Sequence, residues 1–415
     1  MAIVKDLMYH KFRAYGFLKN LRFFDPFIIL FFREIGLSYL EIGALFSVRE
    51  LATNVLEIPT GVVADAYGRR KSMIAAFSSY LIAFAIFYLF PHFSIYVLAM
   101  ILFAFGEAFR SGTHKAMILE YLRLNGMEDQ RVEYYGHTRA ASQFGSAIGA
   151  LIAAGLVFYS GSYRIVFAAS IVPYLLELGL MLSYPKELDG ELVHVEGNWV
   201  KKLLQRIRAT TRESIRMLHR RELLRGLISG ATFDALFKST KDYLQPILQS
   251  QAVALPLFLA LNAEKRGALI VGGLYFLIYL STSYASSHAG RLERRVRSLP
   301  RAANSIYILG MVFLLIAGIS TWKTVYGIAI AAYLGLYMLQ NVRRPILVGY
   351  LSKLIPQRTM ATGLSVESQL RTLVTAGIAP LVGLLADRIG VGLGLGTVGI
   401  IGLSLGPLLL IHETE

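Results

Sequence analysis

Lys19, Arg22 and Asp25 follow one another at three-residue intervals inside an otherwise apolar stretch. Residues three apart share a face of an α-helix, so this stretch would present two cations and a carboxylate to one partner. Asp234, Lys238, Lys241 and Asp242 repeat the theme at i, i+4, i+7 and i+8, and Glu107, Arg110 and His114 do so at i, i+3 and i+7. Asn341, Arg343 and Arg344 form a fourth group, the two arginines necessarily pointing apart. Further charges interrupt other apolar stretches: Arg49, Glu50 and Glu57, then Arg139, then Glu367 and Arg371. An arginine fork matches a carboxylate or phosphate with paired hydrogen bonds, and lysine supplies a compact charge. Cations outnumber acids in these groups. The chemistry expected is therefore recognition of a small anionic or zwitterionic solute by Lys19, Arg22, Arg110, Lys238, Lys241 and Arg344. A buried carboxyl that binds and releases a proton would couple that binding to a proton gradient. Asp25, Glu107 and Asp234 are the candidates for it. Structural pairing competes for the same residues: Arg22 with Asp25 or Glu50, Lys238 with Asp234, and Arg371 with Glu367.

What makes these charges informative is the setting that must hold them. The chain has 415 residues, 55% hydrophobic and only 17% charged, against about 25% charged in soluble domains. Twelve stretches approach the ~20 apolar residues that cross a bilayer: residues 13–34, 39–64, 71–91, 94–122, 134–159, 163–184, 226–250, 267–289, 300–320, 323–352, 359–386 and 391–411. Charges interrupt the first, fourth, seventh, tenth and eleventh, which hydropathy alone would score weakly. An ionisable group inside such a span is costly unless it is paired or faces water. The fold expected is an all-α polytopic membrane protein whose charged spans surround an aqueous path.

Basic residues orient it. Arg69, Arg70 and Lys71, then Arg123 and Arg131, then Arg291, Arg294, Arg295 and Arg297, then Lys353 and Arg358 fall in alternate loops. The segment 185–225 adds eight more from Lys201 to Arg221. Lys and Arg collect on the cytoplasmic side, so this alternation puts both termini in the cytoplasm of a multi-pass protein of the cytoplasmic membrane. It also explains the net charge of +15 without nucleic acid. The first stretch is too long, and lacks the small-residue cleavage site, for a signal peptide. Segment 185–225 divides the chain into two six-span halves, 1–184 and 226–415. Within it Trp199, Leu203, Leu204 and Ile207 recur at near-helical spacing among basic residues, the pattern of an amphipathic helix on an anionic leaflet. The halves echo each other weakly, as Lys19-Asn20-Leu21-Arg22 before Asp25-Pro26 is matched by Lys238 to Asp242 before Pro246. Repeat-built transporters show such symmetry.

After the second span the chain reads Gly61-Val62-Val63-Ala64-Asp65-Ala66-Tyr67-Gly68-Arg69-Arg70-Lys71. This resembles the signature G-x-x-x-D-x-x-G-R-[RK] of the major facilitator superfamily, and it stands where that family carries it. Gly61 admits a close helix contact and Gly68 a tight turn. A degenerate copy after the eighth span keeps Gly290 and Arg291 but has Ser287 in place of the acid. Gly383 to Gly390 repeats the pattern once more, on the opposite side, where a helix end and turn are expected. The resemblance covers nearly the whole chain. It implies two pseudo-symmetric six-helix bundles, spans 1, 4, 7 and 10 around a central cavity, alternating access, and a monomer. It says nothing of the substrate. A proton-driven multidrug exporter and a non-transporting sensor of the same shape are the rival functions. The sequence has no phosphate-binding G-x-x-x-x-G-K-[ST] loop, no cysteine and no metal-ligand or nucleophile-elbow motif, so no cofactor, metal or enzymatic chemistry is expected.

Overall fold

Spans 1, 4 and 7, three of the spans interrupted by charge, are each broken in the middle. The computed structural model, which describes residues 3–190, 220–254, 260–295, 298–355 and 360–411, is helical at every expected span. Span 1 is α1 (Leu7–Leu18) and α2 (Ile28–Glu34), joined by non-helical residues and a short 3-10 turn, Asp25–Phe27. Spans 2 and 3 are α3 (Tyr39–Tyr67) and α4 (Arg69–Leu89). Span 4 is α5 (Phe93–Arg110) and α6 (Thr113–Leu124), and spans 5 and 6 are α7 (Arg131–Ser160) and α8 (Ile165–Leu182). Span 7 is α9 (Arg221–Thr240) and α10 (Leu244–Ala254), with the 3-10 turn Lys241–Tyr243 between them. Then come α11 (Ala263–Arg295), α12 (Leu299–Trp322), α13 (Tyr326–Leu354) and α14 (Met360–Ser404). The last of these holds spans 11 and 12 on either side of Gly390, whose φ of 82° bends the chain.

Each break has a local cause. Pro26 sits in the first turn of its 3-10 segment, where a missing N–H costs nothing, and it keeps the preceding residues from continuing α1. Gly112, at φ 79°, lies in a left-handed region that side chains avoid, and so ends α5 and starts α6. Pro246 lies in the first turn of α10 and has no N–H to bond back across the 241–243 turn.

Among the described residues, seven helical stretches are long and apolar enough to cross a membrane by length and composition alone. Span 4 is one of them, contrary to the expectation from its charges, because those begin only at Glu107. Span 2 is not, since Glu41, Arg49, Glu50, Glu57 and Asp65 punctuate it from end to end.

Packing groups the chain into two compact units. One draws on Met1–Phe31, Leu51–Leu204 and Val271–Leu280, the other on Phe32–Glu50, Gln205–Ile270 and Ser281–Glu415. In the first, α1 lies so close to α7 that a Cβ at Gly16 or Gly145 would meet a backbone carbonyl of Thr138 or Phe17. Phe24, Phe84, Phe103, Phe167 and Tyr174 pack ring against ring beside the break in span 1. In the second unit, α12 packs on α13 and α14. The start of α3 packs on α14, where Gly43 faces the carbonyl of Ala379 and Ser47 donates to the carbonyl of Ala376 at 2.7 Å. The proposed amphipathic helix at 199–208 lies outside the described residues.

Candidate solute-binding site

Glu107, in the last turn of α5, is the hub of the first unit. Its Oε1 accepts from Arg22 Nη2 at 2.5 Å and from the Tyr80 hydroxyl at 2.7 Å, and its Oε2 accepts from Arg110 Nη2 at 2.7 Å. Arg110 Nε also donates to the Tyr80 hydroxyl at 3.3 Å. The Tyr80 ring is fixed in turn by Gly106, where a Cβ would come within 2.8 Å of it.

This hub borders a cavity of about 410 Å³. Four cations line it: Lys19 from the broken part of span 1, Arg110 and Lys115 from either side of the Gly112 break, and Arg139 from α7. Asn20, Ser111, Thr138, Ser142 and Gln143 add neutral hydrogen-bonding groups, and Glu107 is the acid in the wall. That carboxylate already accepts from two guanidinium groups, so the cavity keeps a surplus of positive charge. Lys19 lies over the Tyr15 ring at 5.4 Å and makes no ion pair among the described residues, and Lys115 lies over Tyr135 at 5.2 Å. His114 is buried, stacked on Tyr15 at 3.4 Å between centroids, with Nε2 3.1 Å from the Tyr184 hydroxyl. It serves the wall as a packed aromatic.

Most of the charges of the second unit are paired with one another instead. Glu50, 3% exposed, accepts from Lys238 Nζ at 2.7 Å and from Arg49 at 3.1 Å. Lys241 pairs with Asp242 at 2.6 Å. Arg371 stands 3.6 Å from Asp234 and 4.0 Å from Glu367, and Gln340 donates to Asp234 at 2.9 Å. Arg344 is exposed and shares a smaller cavity of about 190 Å³ with Asp234, Glu367 and Arg371. Its neighbour Arg343 is buried, donates to the Ser229 hydroxyl at 2.9 Å and lies over the Phe233 ring at 4.5 Å. The two arginines do point apart.

Several sequence expectations change here. Lys19, Arg22 and Asp25 do not share a helical face, because the chain from Lys19 to Phe24 is not helical. The break puts Lys19 in the cavity wall and Arg22 on Glu107. Likewise Lys238 ends α9 while Lys241 and Asp242 belong to the turn after it. Lys238 takes Glu50 as partner in place of Asp234, which is held by Arg371 and Gln340. Asp25 is half-buried in the turn that follows Arg22. Among the described residues, no group of three or more acidic or histidine side chains is placed to hold a metal ion.

The signature loop is pinned within the first unit. Gly68, at φ 102°, lets α4 start directly after α3. Asp189 accepts the Arg70 amide at 2.7 Å and fills the space a Gly68 side chain would need. Arg70 donates to the Tyr184 carbonyl at 2.9 Å, and Arg69 stands 3.6 Å from Glu120. Gly61, Asp65, Gly290 and Arg291 fall in helices, but their side chains lie outside the described ones. In the repeat from Gly383 to Gly390, Asp387 accepts the amides of Tyr39 and Leu40 at 2.9 and 2.7 Å, capping α3, and Gly390 makes the turn. Sequence reasoning missed Asp189, and it also missed Glu177, the lone charged residue of α8 and wholly buried. A single acid in an otherwise uninterrupted apolar span was the signal for it.

Comparison with known proteins agrees with this architecture. Residues 20–373 match the Major Facilitator Superfamily. A relative in Bacillus subtilis (strain 168), "Uncharacterized MFS-type transporter YxaM", is 24% identical over 348 residues, which is 83% of this chain and 80% of that one. A "Probable L-galactonate transporter" of Escherichia coli (strain K12) is 27% identical over 163 residues, 39% of this chain and 35% of its own. Among solved structures, nucleoside transporter NupG superposes with a TM-score of 0.72 at 12% identity, covering 98% of both chains. The peptide transporter POT in complex with sulfate gives 0.73 at 13% identity, covering 98% and 94%. At these identities the structural likeness speaks for the fold alone. With twelve helical spans, a pinned signature loop and a family match over most of its length, the chain is a membrane transporter of the Major Facilitator Superfamily.

Proposed function

We propose that this protein moves a small organic anion, or a zwitterion read through its carboxylate, across the cytoplasmic membrane by alternating access coupled to protons. The observation that carries this is the cavity beside Glu107, which gathers Lys19, Arg110, Lys115 and Arg139 around one already-shared carboxylate. An excess of cations around one cavity, with Lys19 and Arg110 partly buried, favours an anion to offset it. Breaks in spans 1 and 4 at this point add polar backbone, the construction that carriers use where substrate binds. The partial likeness to a probable L-galactonate transporter makes a hexonate a sensible first probe. A lipophilic-cation exporter has no use for such a surplus.

Of the six cations proposed from sequence, Lys19 and Arg110 are the ones proposed to touch substrate, with Lys115 and Arg139 joining them. Arg22 orients Glu107. Lys238, Lys241 and Arg344 are proposed to serve the moving parts of the cycle. Asp25, Glu107 and Asp234 are the coupling candidates from sequence, and of these Glu107 and Asp234 are held by arginines. Two six-span halves, 1–184 and 226–415, joined by 185–225 and with both termini in the cytoplasm, form the proposed working monomer. The alternating basic loops support that orientation.

Reconstituted protein loaded with unlabelled gluconate should take up labelled gluconate by saturable counterflow, inhibited by other hexonates and not by hydrophobic cations. Counterflow of hydrophobic cations with none of organic anions would overturn the proposal.

A further inference from the structure

Glu177 is the sole charged residue of α8, is fully buried, and has both carboxyl oxygens without a hydrogen-bond partner in the structure. Among the described residues it makes no ion pair. An ionised carboxylate in such a place gives up its hydration for little in return, with only the Lys19 charge and backbone N–H and the Arg110 charge to offset it, and this is the kind of group that stays neutral instead. Its position relates it to the cavity. Tyr174, three residues earlier and so on the same face of α8, donates its hydroxyl to the carbonyl of Lys19 at 3.2 Å. Glu177 therefore lies behind the break in span 1, on the far side of the cavity wall that Lys19 forms. The charged groups that act on it are Lys19 and Arg110, and the nearby titratable groups are Tyr15 of α1 and Tyr184 after α8. Arg110 is committed to Glu107 at 2.7 Å, whereas Lys19 has no carboxylate partner. On α4, which packs on α8, Tyr80 is committed to Glu107 as well. On α7, also packed on α8, Arg139 faces the cavity.

We propose that Glu177 is the proton site of the carrier and that it acts through Lys19. With its proton in place, Glu177 leaves the Lys19 ammonium to the cavity, where it holds the anion. When the O–H bond breaks and the proton leaves to water, the carboxylate draws Lys19 out of the cavity wall and the anion loses one of its cations. The proton that the cycle binds and releases is the one on Glu177, one per cycle. Proton and anion then favour each other's binding by the same factor, and the coupling is symport. Glu177 is a coupling residue and never touches the solute. This rests on the anion site proposed above, and the two fail in different ways.

The experiment uses full-length protein and gluconate, with Glu177→Gln as the test variant and Glu177→Asp as the conservative one. In the wild type, gluconate affinity should fall as pH rises through the titration, by up to about tenfold per pH unit, the limit for one linked proton. In Glu177→Gln, a permanent mimic of the neutral carboxyl, affinity should stay at the low-pH value across the range. That variant should keep gluconate counterflow and lose accumulation driven by a pH gradient, while Glu177→Asp keeps both. Infrared difference spectra should contain the C=O stretch of a protonated carboxylic acid in the wild type and not in Glu177→Gln. A pH profile unchanged in Glu177→Gln, or pH-driven accumulation retained there, overturns the proposal. So does the absence of that infrared band from the wild type, a result that stands whether or not gluconate is carried. Absence of gluconate binding at every pH would instead count against the anion site.

Discussion

The two charge clusters are built from the same residue types and arranged differently. In the first unit one carboxylate, Glu107, serves Arg22 and Arg110, while Lys19, Lys115 and Arg139 face the same cavity. In the second, Glu50 serves Lys238 and Arg49, Asp242 serves Lys241, and Asp234 and Glu367 serve Arg371. The backbone differs with the charge. Span 4 breaks at Gly112, whereas α13, its counterpart in the other half of the sequence, runs unbroken from Tyr326 to Leu354 through Pro345. In the first unit the opened helix of span 4 borders the cation-rich cavity, whereas in the second unit span 7 is opened too, at Lys241–Tyr243, but Lys238 and Lys241 beside that break are each paired with an acid. The first is what a binding site requires. The second is what a structural or moving contact requires, since buried pairs fix geometry but contribute little net stability.

The comparison can be broken by substitution, and the largest effect is expected at the hub. Glu107→Gln strands two guanidinium groups and should cost about 3–5 kcal/mol, measured as a fall in the unfolding midpoint in detergent. Glu50→Gln strands Arg49 and a Lys238 that is 34% exposed and can regain water. Its cost should be smaller, about 1–3 kcal/mol. Equal losses would deny the two clusters their difference. Gly106→Ala drives a methyl into the Tyr80 ring at 2.8 Å. It should cost about 1–3 kcal/mol and weaken anion binding as well, because Tyr80 steadies both Glu107 and Arg110. Helix caps should not distinguish the units. Asp387→Ala at α3 and Asp189→Ala at α4 should each cost about 1 kcal/mol, with faster amide exchange at Tyr39 and Leu40 or at Arg70 respectively. The smallest effect, under about 1 kcal/mol, is expected for Arg123→Gln, whose pair with Glu120 at 2.6 Å is half in solvent.

Much of the fold was legible in the sequence because lipid imposes length and hydropathy on every span. The signature loop was legible too, since Gly68 and the basic pair after it are demanded by a tight turn at a helix start. The site was legible only as a population of charges. Which charge meets which depends on where helices break, and hydropathy is blind to a break at Lys19 or Gly112. Helical spacing placed Lys19 with Arg22, and the break separated them. Lys238 found Glu50, far away in sequence, in preference to Asp234 one turn back. Asp189 and Asp387 act on the backbone of other helices, a role that leaves no periodic trace. Glu177 was visible as the one acid in an apolar span, but its meaning depends on the Tyr174 contact that turns its face toward Lys19.

The central claim is that solute charge is read in the first unit. Lys19→Gln tests it most directly, because among the described residues Lys19 has no ion pair whose loss would confuse the result. Equilibrium binding of labelled gluconate should weaken tenfold or more in Lys19→Gln, about 1.4 kcal/mol. Lys241→Gln, measured beside it, should bind within about twofold of the wild type, a difference of well under 1 kcal/mol. Undiminished binding in Lys19→Gln together with loss in Lys241→Gln would place the site elsewhere and contradict the account.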